Sequence, residues 1–229
     1  MTQLPLGLPH RASVGRGDFL TSPANRAALA WIERWPDWPV RGLVLHGPPG
    51  SGKTHLAHLW CARAGAALVG GAELVPEAVA PVLGAAPGAI AVDDAEQAPE
   101  AALLHLYNAC SERGGSILVV ARQPAAAWRI ALPDLASRLR ALPAVGIEPP
   151  DDALLASVLV KLFTDRQVTV KPPVIGYLTR RMERSFAAAT ALAAALDHAQ
   201  MSEGGAITIP LARRILAAMD QSENDLTVT

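Results

Sequence analysis

The sequence has almost no excess charge of either sign: 20 Lys and Arg face 21 Asp and Glu in 229 residues. A general polyanion binder needs a local surplus of cations to displace counterions from phosphates, so the balance argues against one. Cysteine is equally scarce. Cys61 and Cys110 stand far apart and form no C-x-x-C pair. A disulfide between them stays open, but two buried free thiols in a reducing cytoplasm are the expectation. No charged segment followed by an apolar run opens the chain, so no secretory signal is read. The longest mildly apolar stretch, 186–196, is mostly alanine and too short to span a bilayer. A cytoplasmic protein without membrane contact is expected. What is present is a chain 51% apolar and 18% charged, the composition of a folded protein. Its length suits one α/β core and a small second unit.

No internal repeat is visible, and three zones follow one another. Residues 1–14, rich in Pro, Gly and Leu, read as an extended tail. From 15 to 148, short apolar strands alternate with helical stretches, the pattern of a parallel sheet covered by helices. Strands are expected at 42–46, 67–70, 89–93, 116–121 and 144–147, with helices at 53–64 and 100–113. Pro149-Pro150-Asp151-Asp152 then punctuates the chain, since proline ends a helix and aspartate starts one well. Residues 149–229 read as a small helical unit. Leu155, Val158, Leu159 and Leu162 lie at helical spacing, Pro172-Pro173 opens a further helix, and a last one is expected at 210–219.

Gly47-Pro48-Pro49-Gly50-Ser51-Gly52-Lys53-Thr54 satisfies G-x-x-x-x-G-K-[ST], follows an apolar strand and opens a helical pattern. Its glycines let consecutive N–H groups turn toward phosphates, and the helix N-terminus adds partial positive charge. Lys53 would neutralise the β- and γ-phosphate oxygens, and the Thr54 hydroxyl would ligate Mg²⁺. ATP or ADP with magnesium is therefore the expected ligand. Ala89-Ile90-Ala91-Val92-Asp93-Asp94 is an apolar strand ending in two acids, about forty residues downstream. Such a Walker B strand puts Asp93 where it can hold Mg²⁺ and Asp94 near an attacking water.

Other residues are open to two readings. Arg138, near the end of a short helix over 132–139, is either a solvated surface arginine or a finger that stabilises charge on a transferring γ-phosphate. Spacing does not decide between these. His46, His55 and His58 flank the P-loop, but no carboxylate or cysteine completes a metal set with them. Trp31, Trp35 and Trp38 are read as packing under the entry segment rather than as base-stacking platforms. Arg180, Arg181, Arg213 and Arg214 are read as a solvated helical face.

Together these residues resemble the AAA+ ATPases of the DnaA initiator family. The P-loop continues as Gly52-Lys53-Thr54-His55-Leu56, similar to that family's signature, which adds His55 to the candidate nucleotide-binding residues. Asp18-Phe19-Leu20 and Asn25-Arg26-Ala27-Ala28 resemble the segment that cups the adenine. The stretch LPDLASRL, 132–139, is similar to the arginine-finger segment of the Hda-type regulators of that family. Ile147-Glu148-Pro149-Pro150 resembles the junction between sheet and lid, and 206–210 the approach to the final lid helix. The resemblance spans 15–220. It implies an AAA+ P-loop NTPase with a five-stranded parallel sheet (15–148) and an α-helical lid (149–229).

The resemblance also carries functional expectations. No counterpart of the initiator's carboxy-terminal helix-turn-helix follows the lid in the sequence. Gln3-Leu4-Pro5-Leu6-Gly7-Leu8 is similar to the QLxLxL peptide by which Hda-type proteins dock on the bacterial sliding clamp. An extended tail can seat Leu4, Leu6 and Leu8 in an apolar groove while the Gln3 amide bonds at its edge. The implied role is regulatory. Docked on a DNA-loaded clamp, and so touching DNA only indirectly, the protein would offer Arg138 to ATP-bound DnaA and promote its hydrolysis. A homodimer is compatible with this, and replisome or nucleoid association would follow. Where the initiator has an acid before an arginine at sensor 1, this chain has Ala121 before Arg122, so slow intrinsic hydrolysis is expected. Met182-Glu183-Arg184-Ser185-Phe186 matches the sensor 2 segment, which puts Arg184 near the bound phosphates. An autonomous ATPase acting as a helicase loader or clamp-loader-like subunit is the alternative. A diverged initiator that binds origin DNA itself is disfavoured by the neutral charge.

Overall fold

The computed structural model describes residues 19–86 and 88–227. In chain order its elements are α1 (Arg26–Arg34), β1 (Gly42–His46), α2 (Lys53–Ala64), β2 (Ala67–Gly70), α3 (Pro76–Ala85), β3 (Ala89–Asp93), α4 (Glu100–Glu112), β4 (Ser116–Ala121), α5 (Pro133–Ala141) and β5 (Ala144–Gly146). They are followed by α6 (Asp152–Asp165), α7 (Pro172–Thr179), α8 (Phe186–Glu203) and α9 (Ile209–Thr227). The strands form one parallel sheet in the order β2-β3-β4-β1-β5.

The strand sequences are near-continuous apolar runs because the central strands are buried on both faces. Alternation then sorts their side chains. Val44, Ile90, Val92, Ile117 and Val119 face α3, α4 and α5. Leu43, Leu45, Ala89, Ala91, Leu118 and Val120 face α1 and α2. Alanines on the α2 side of β3 leave room for Trp60, which is fully buried there. Trp38 stacks on it at 5.5 Å and 9°, and Trp35 meets it edge-on at 6.1 Å and 83°. Trp35, Trp38 and Trp60 thus pack on one another in the cluster between the sheet and α1 and α2.

A third apolar cluster, built from Leu155, Leu159, Phe163, Leu178, Leu192, Leu196 and their neighbours, lies among α6–α9. Local chemistry sets where these helices begin. The Asp151 carboxylate accepts the Leu154 N–H at 2.7 Å to start α6. Ser185 Oγ accepts the Ala188 N–H at 3.0 Å to start α8. Prolines occupy the first turns of α3, α5 and α7, where no donor is lost.

Several boundaries differ from the sequence reading, α5 among them, which runs 133–141 rather than 132–139. β5 ends at Gly146, although the Ile147 N–H still donates to the His46 carbonyl at 2.7 Å. α4 stops at Glu112, with Arg113 as its C-cap. α9 begins one residue earlier and runs to Thr227, beyond the apolar pattern that gave out at Met219. Both cysteines are free. Cys110 is buried, whereas Cys61 is only partly so, a correction to the expectation of two buried thiols. Among the described residues no helix is long and apolar enough to cross a membrane.

Candidate nucleotide-binding site

All five strands end on one edge, where His46 pairs with Ala121 and Gly146, and Gly70 with Asp93. In open α/β sheets this carboxyl edge is where ligands settle. The 47–54 loop crosses it. Gly47 donates its N–H to the Ala121 carbonyl at 3.2 Å, and a Cβ there would lie 2.5 Å from the Ile147 carbonyl oxygen. Gly50 (φ 67°) and Gly52 (φ 95°) take the left-handed conformation that glycine adopts at no steric cost. α2 starts directly after Gly52 with no side-chain cap and no acid in its first turn. Its first-turn donors and its dipole therefore remain for an anion.

The side chains complete the cradle. Lys53 is 7% exposed, and its ammonium donates to the Pro48 carbonyl at 2.8 Å. Burial lowers the Lys53 pKa, and Asp93, Asp94 and Glu96 oppose that shift. The Thr54 hydroxyl donates to Asp93 Oδ2 at 2.7 Å, so the two candidate magnesium ligands are already in contact across 39 residues of sequence. Ser51 Oγ is buried with no hydrogen-bond partner among the described residues. A glycine turn, a buried ammonium, an uncapped helix start and a Thr–Asp oxygen pair are the donor set that a magnesium nucleotide requires, so the residues fit that group. No cluster of three or more His, Cys, Asp or Glu suited to a metal occurs among the described residues.

Asp94 follows in a left-handed conformation (φ 46°), and the Gly71 backbone packs so closely on its carbonyl that a Cβ would approach to 2.2 Å. Its carboxylate faces Arg122, with Nε 4.0 Å from Oδ1. The same Nε lies 3.7 Å from Glu96, which also accepts the Arg122 backbone N–H at 3.0 Å. Glu96 and Arg122 are therefore neighbours of the site that no motif had marked as a pair. Only the fold joins the end of β4 to the turn after β3. A cleft of about 310 Å³ opens beyond them toward Trp128, Arg129 and Leu135. It shares Glu96 and Arg122 with the site but not the phosphate cradle.

The helical unit reaches the loop at the start of α8. Phe186 donates its N–H to the Gly50 carbonyl at 2.8 Å, and a Cβ on Gly50 would meet the Ser185 Cβ at 2.5 Å. The Phe186 ring sits beside Gly52, as does Phe19, whose ring centroid lies 5.3 Å from that of His55. Phe19 belongs to an entry turn built by Asn25, which accepts from the Ser22 N–H at 2.8 Å and donates to the Leu20 carbonyl at 2.9 Å. Arg184 is adjacent in sequence to this contact, but its guanidinium is 3.0 Å from Asp152 and the side chain is 63% exposed. The structure thus brings Ser185 and Phe186 to the loop, and not the Arg184 charge.

Arg138 lies on α5, and among the described residues its side-chain contacts do not include the groups of the 47–54 loop. Its Nη2 donates to Asp134 Oδ2 at 3.2 Å, and its guanidinium lies 5.8 Å from the Tyr107 ring centroid on α4. Gln3, Leu4, Leu6 and Leu8 lie outside the described residues.

No protein-family model and no curated protein matches the chain. Solved structures do. Domain III of the Thermotoga maritima replication initiation protein DnaA superposes with a TM-score of 0.78 at 15% identity, covering 92% of this chain and 98% of that one. The fold is that of an AAA+ P-loop ATPase. The Thermotoga maritima RuvB Holliday junction branch migration motor superposes at 0.73 and 16% identity, over 89% of this chain and 71% of that one. A replication initiator DnaA bound to AMPPCP and single-stranded DNA gives 0.64 at 15% identity, over 82% and 66% respectively.

Proposed function

We propose that this protein is an adenine-nucleotide-binding regulator of replication initiation that acts on a second ATPase. Residues 47–55 hold ATP or ADP, Thr54 and Asp93 hold Mg²⁺, and the ion when bound neutralises phosphate charge. Lys53 leaves the Pro48 carbonyl to meet the phosphates. Arg122 engages Asp94 and Ala121 offers no polar group, so hydrolysis at the protein's own site is slow. The tail residues Gln3, Leu4, Leu6 and Leu8 dock on a DNA-loaded sliding clamp. Arg138 is then offered to the nucleotide of ATP-bound DnaA, where it stabilises charge developing on the γ-phosphoryl oxygens.

The observation that carries this reading is the placement of Arg138. Among the described residues its side-chain contacts go to Asp134 and Tyr107 and none to residues 47–54, and its side chain is 38% exposed. A group so placed serves a neighbouring molecule better than its own site. The test follows hydrolysis of radiolabelled ATP prebound to DnaA, with clamp-loaded DNA, with and without this protein. Stimulation that disappears in Arg138→Ala and in the Gln3, Leu4, Leu6 triple alanine variant is the expected outcome. An arginine finger contributes roughly 10³–10⁵ in rate, so the Arg138→Ala loss should be near complete. Likeness to the RuvB motor favours a second reading, an autonomous ATPase working as a loader. Absence of any stimulation, together with brisk hydrolysis by the isolated protein that Asp94→Ala removes, would establish that reading instead.

A further inference from the structure

Arginine is long and flexible, and one meant to meet a partner's phosphate loses rotamer freedom when it does so. Two contacts of Arg138 bear on that loss. Asp134 lies one turn earlier on α5, in the i,i+4 relation that brings helix side chains together. Its Oδ2 accepts from Nη2 at 3.2 Å, and Oδ1 lies 3.2 Å from Nε as an ion-pair contact rather than a hydrogen bond. The second contact comes from another helix. Tyr107 of α4 places its ring 5.8 Å from the guanidinium carbon, within the range of a cation–π contact. The carboxylate engages one edge of the guanidinium, and Nη1, on the other edge, has no hydrogen-bond partner among the described residues.

We infer that Tyr107 is a positioning residue: together with Asp134 it holds Arg138 so that the Nη1 edge faces outward, ready for an oxyanion of a partner's nucleotide. The inference rests on the function proposed above and adds to it the source of the finger's order. The ring matters by its π face. Tyr107→Phe keeps that face, whereas Tyr107→Leu keeps apolar bulk without it, so the two variants separate stacking from plain packing.

The assay is the DnaA-bound ATP hydrolysis described above, using the full chain with clamp-loaded DNA. Tyr107→Leu is expected to lower the stimulated rate about tenfold, the equivalent of ~1.4 kcal/mol, with half-saturating concentration little changed. Tyr107→Phe should stay near the parent, and Asp134→Asn should lose several-fold. A second readout needs no partner. In NMR spectra the Arg138 side-chain protons should carry an upfield ring-current shift that persists in Tyr107→Phe and vanishes in Tyr107→Leu. Should Arg138→Ala abolish stimulation while Tyr107→Leu and Asp134→Asn leave it intact, the positioning role is wrong and the regulatory function survives. Equal losses in Tyr107→Phe and Tyr107→Leu would also overturn it. If Arg138→Ala itself changes nothing, the function fails first and the positioning role falls with it.

Discussion

At the scale of single residues, the clearest constraint is at Gly50. It combines a left-handed backbone with a neighbour, the Ser185 Cβ, that a methyl group would approach to 2.5 Å. Gly65 shares the conformation (φ 61°) but has nothing within 4 Å of the added carbon. Forcing alanine into this region costs roughly 1–2 kcal/mol in either case. Gly50→Ala should therefore lower the melting temperature by several degrees more than Gly65→Ala does. Equal losses in thermal unfolding would mean that the α8 start does not constrain the loop. His46 offers a pH test. Burial first, and then the Lys53 charge, hold its pKa below the ordinary 6.5. The folded state therefore favours neutral imidazole. Its contribution to stability is full above pH 6.5 and is lost as the pH falls through the lower folded value. Melting temperatures between pH 7 and 5 should fall, and fall less in His46→Asn.

At the scale of elements, the central strands were legible because burial on both faces leaves no polar position to blur them. The loop from Gly47 to Thr54 was legible because phosphate binding by backbone N–H groups demands glycine at fixed spacing. Helix α3 was not anticipated. Pro81 and Gly84 lie inside it, and both weigh against a helix when propensity alone is read. Packing of Val79 and Leu83 into the core outweighs that local cost. α1 is legible only as the Asn25–Ala28 part of an entry segment, and the helix runs on from there to Arg34. The contacts of Arg122 with Asp94 and Glu96, and of Tyr107 with Arg138, were beyond reach. Each joins residues on different elements, and no spacing rule connects them. Arg184 is the reverse case. Its neighbourhood was legible, while its guanidinium pairs with Asp152 of α6 instead of entering the phosphate end.

At the scale of the whole molecule, sheet unit and helical unit meet at the 47–54 loop. The Phe186 N–H is bonded to the Gly50 carbonyl, so the first turn of α8 registers any movement of the loop. Hydrogen exchange with and without Mg-ADP should show altered protection at 185–190 as well as at 50–56. Lys53→Ala, which weakens nucleotide binding by at least about tenfold on the loss of a charge-assisted contact, should abolish both changes at sub-saturating ADP. Protection confined to 50–56 would mean that the two units do not communicate.

Strand order also governs how the chain can come together during synthesis. β1, which leads into the glycine loop, lies between β4 and β5, with Gly42 opposite Ile117 and Val44 opposite Ala144. Its partners are thus 75 residues (42 to 117) and 100 residues (44 to 144) downstream. At ~5–20 residues per second, a ribosome needs roughly 5–20 s to supply the second of them. Until β4 follows, β1 has both edges open, and until β5 follows it has one; the loop meanwhile lacks first the Ala121 carbonyl and then the Ile147 backbone against which it is set. A nascent chain arrested before β4 emerges should not retain nucleotide, and one arrested with β5 clear of the exit tunnel should be the first able to.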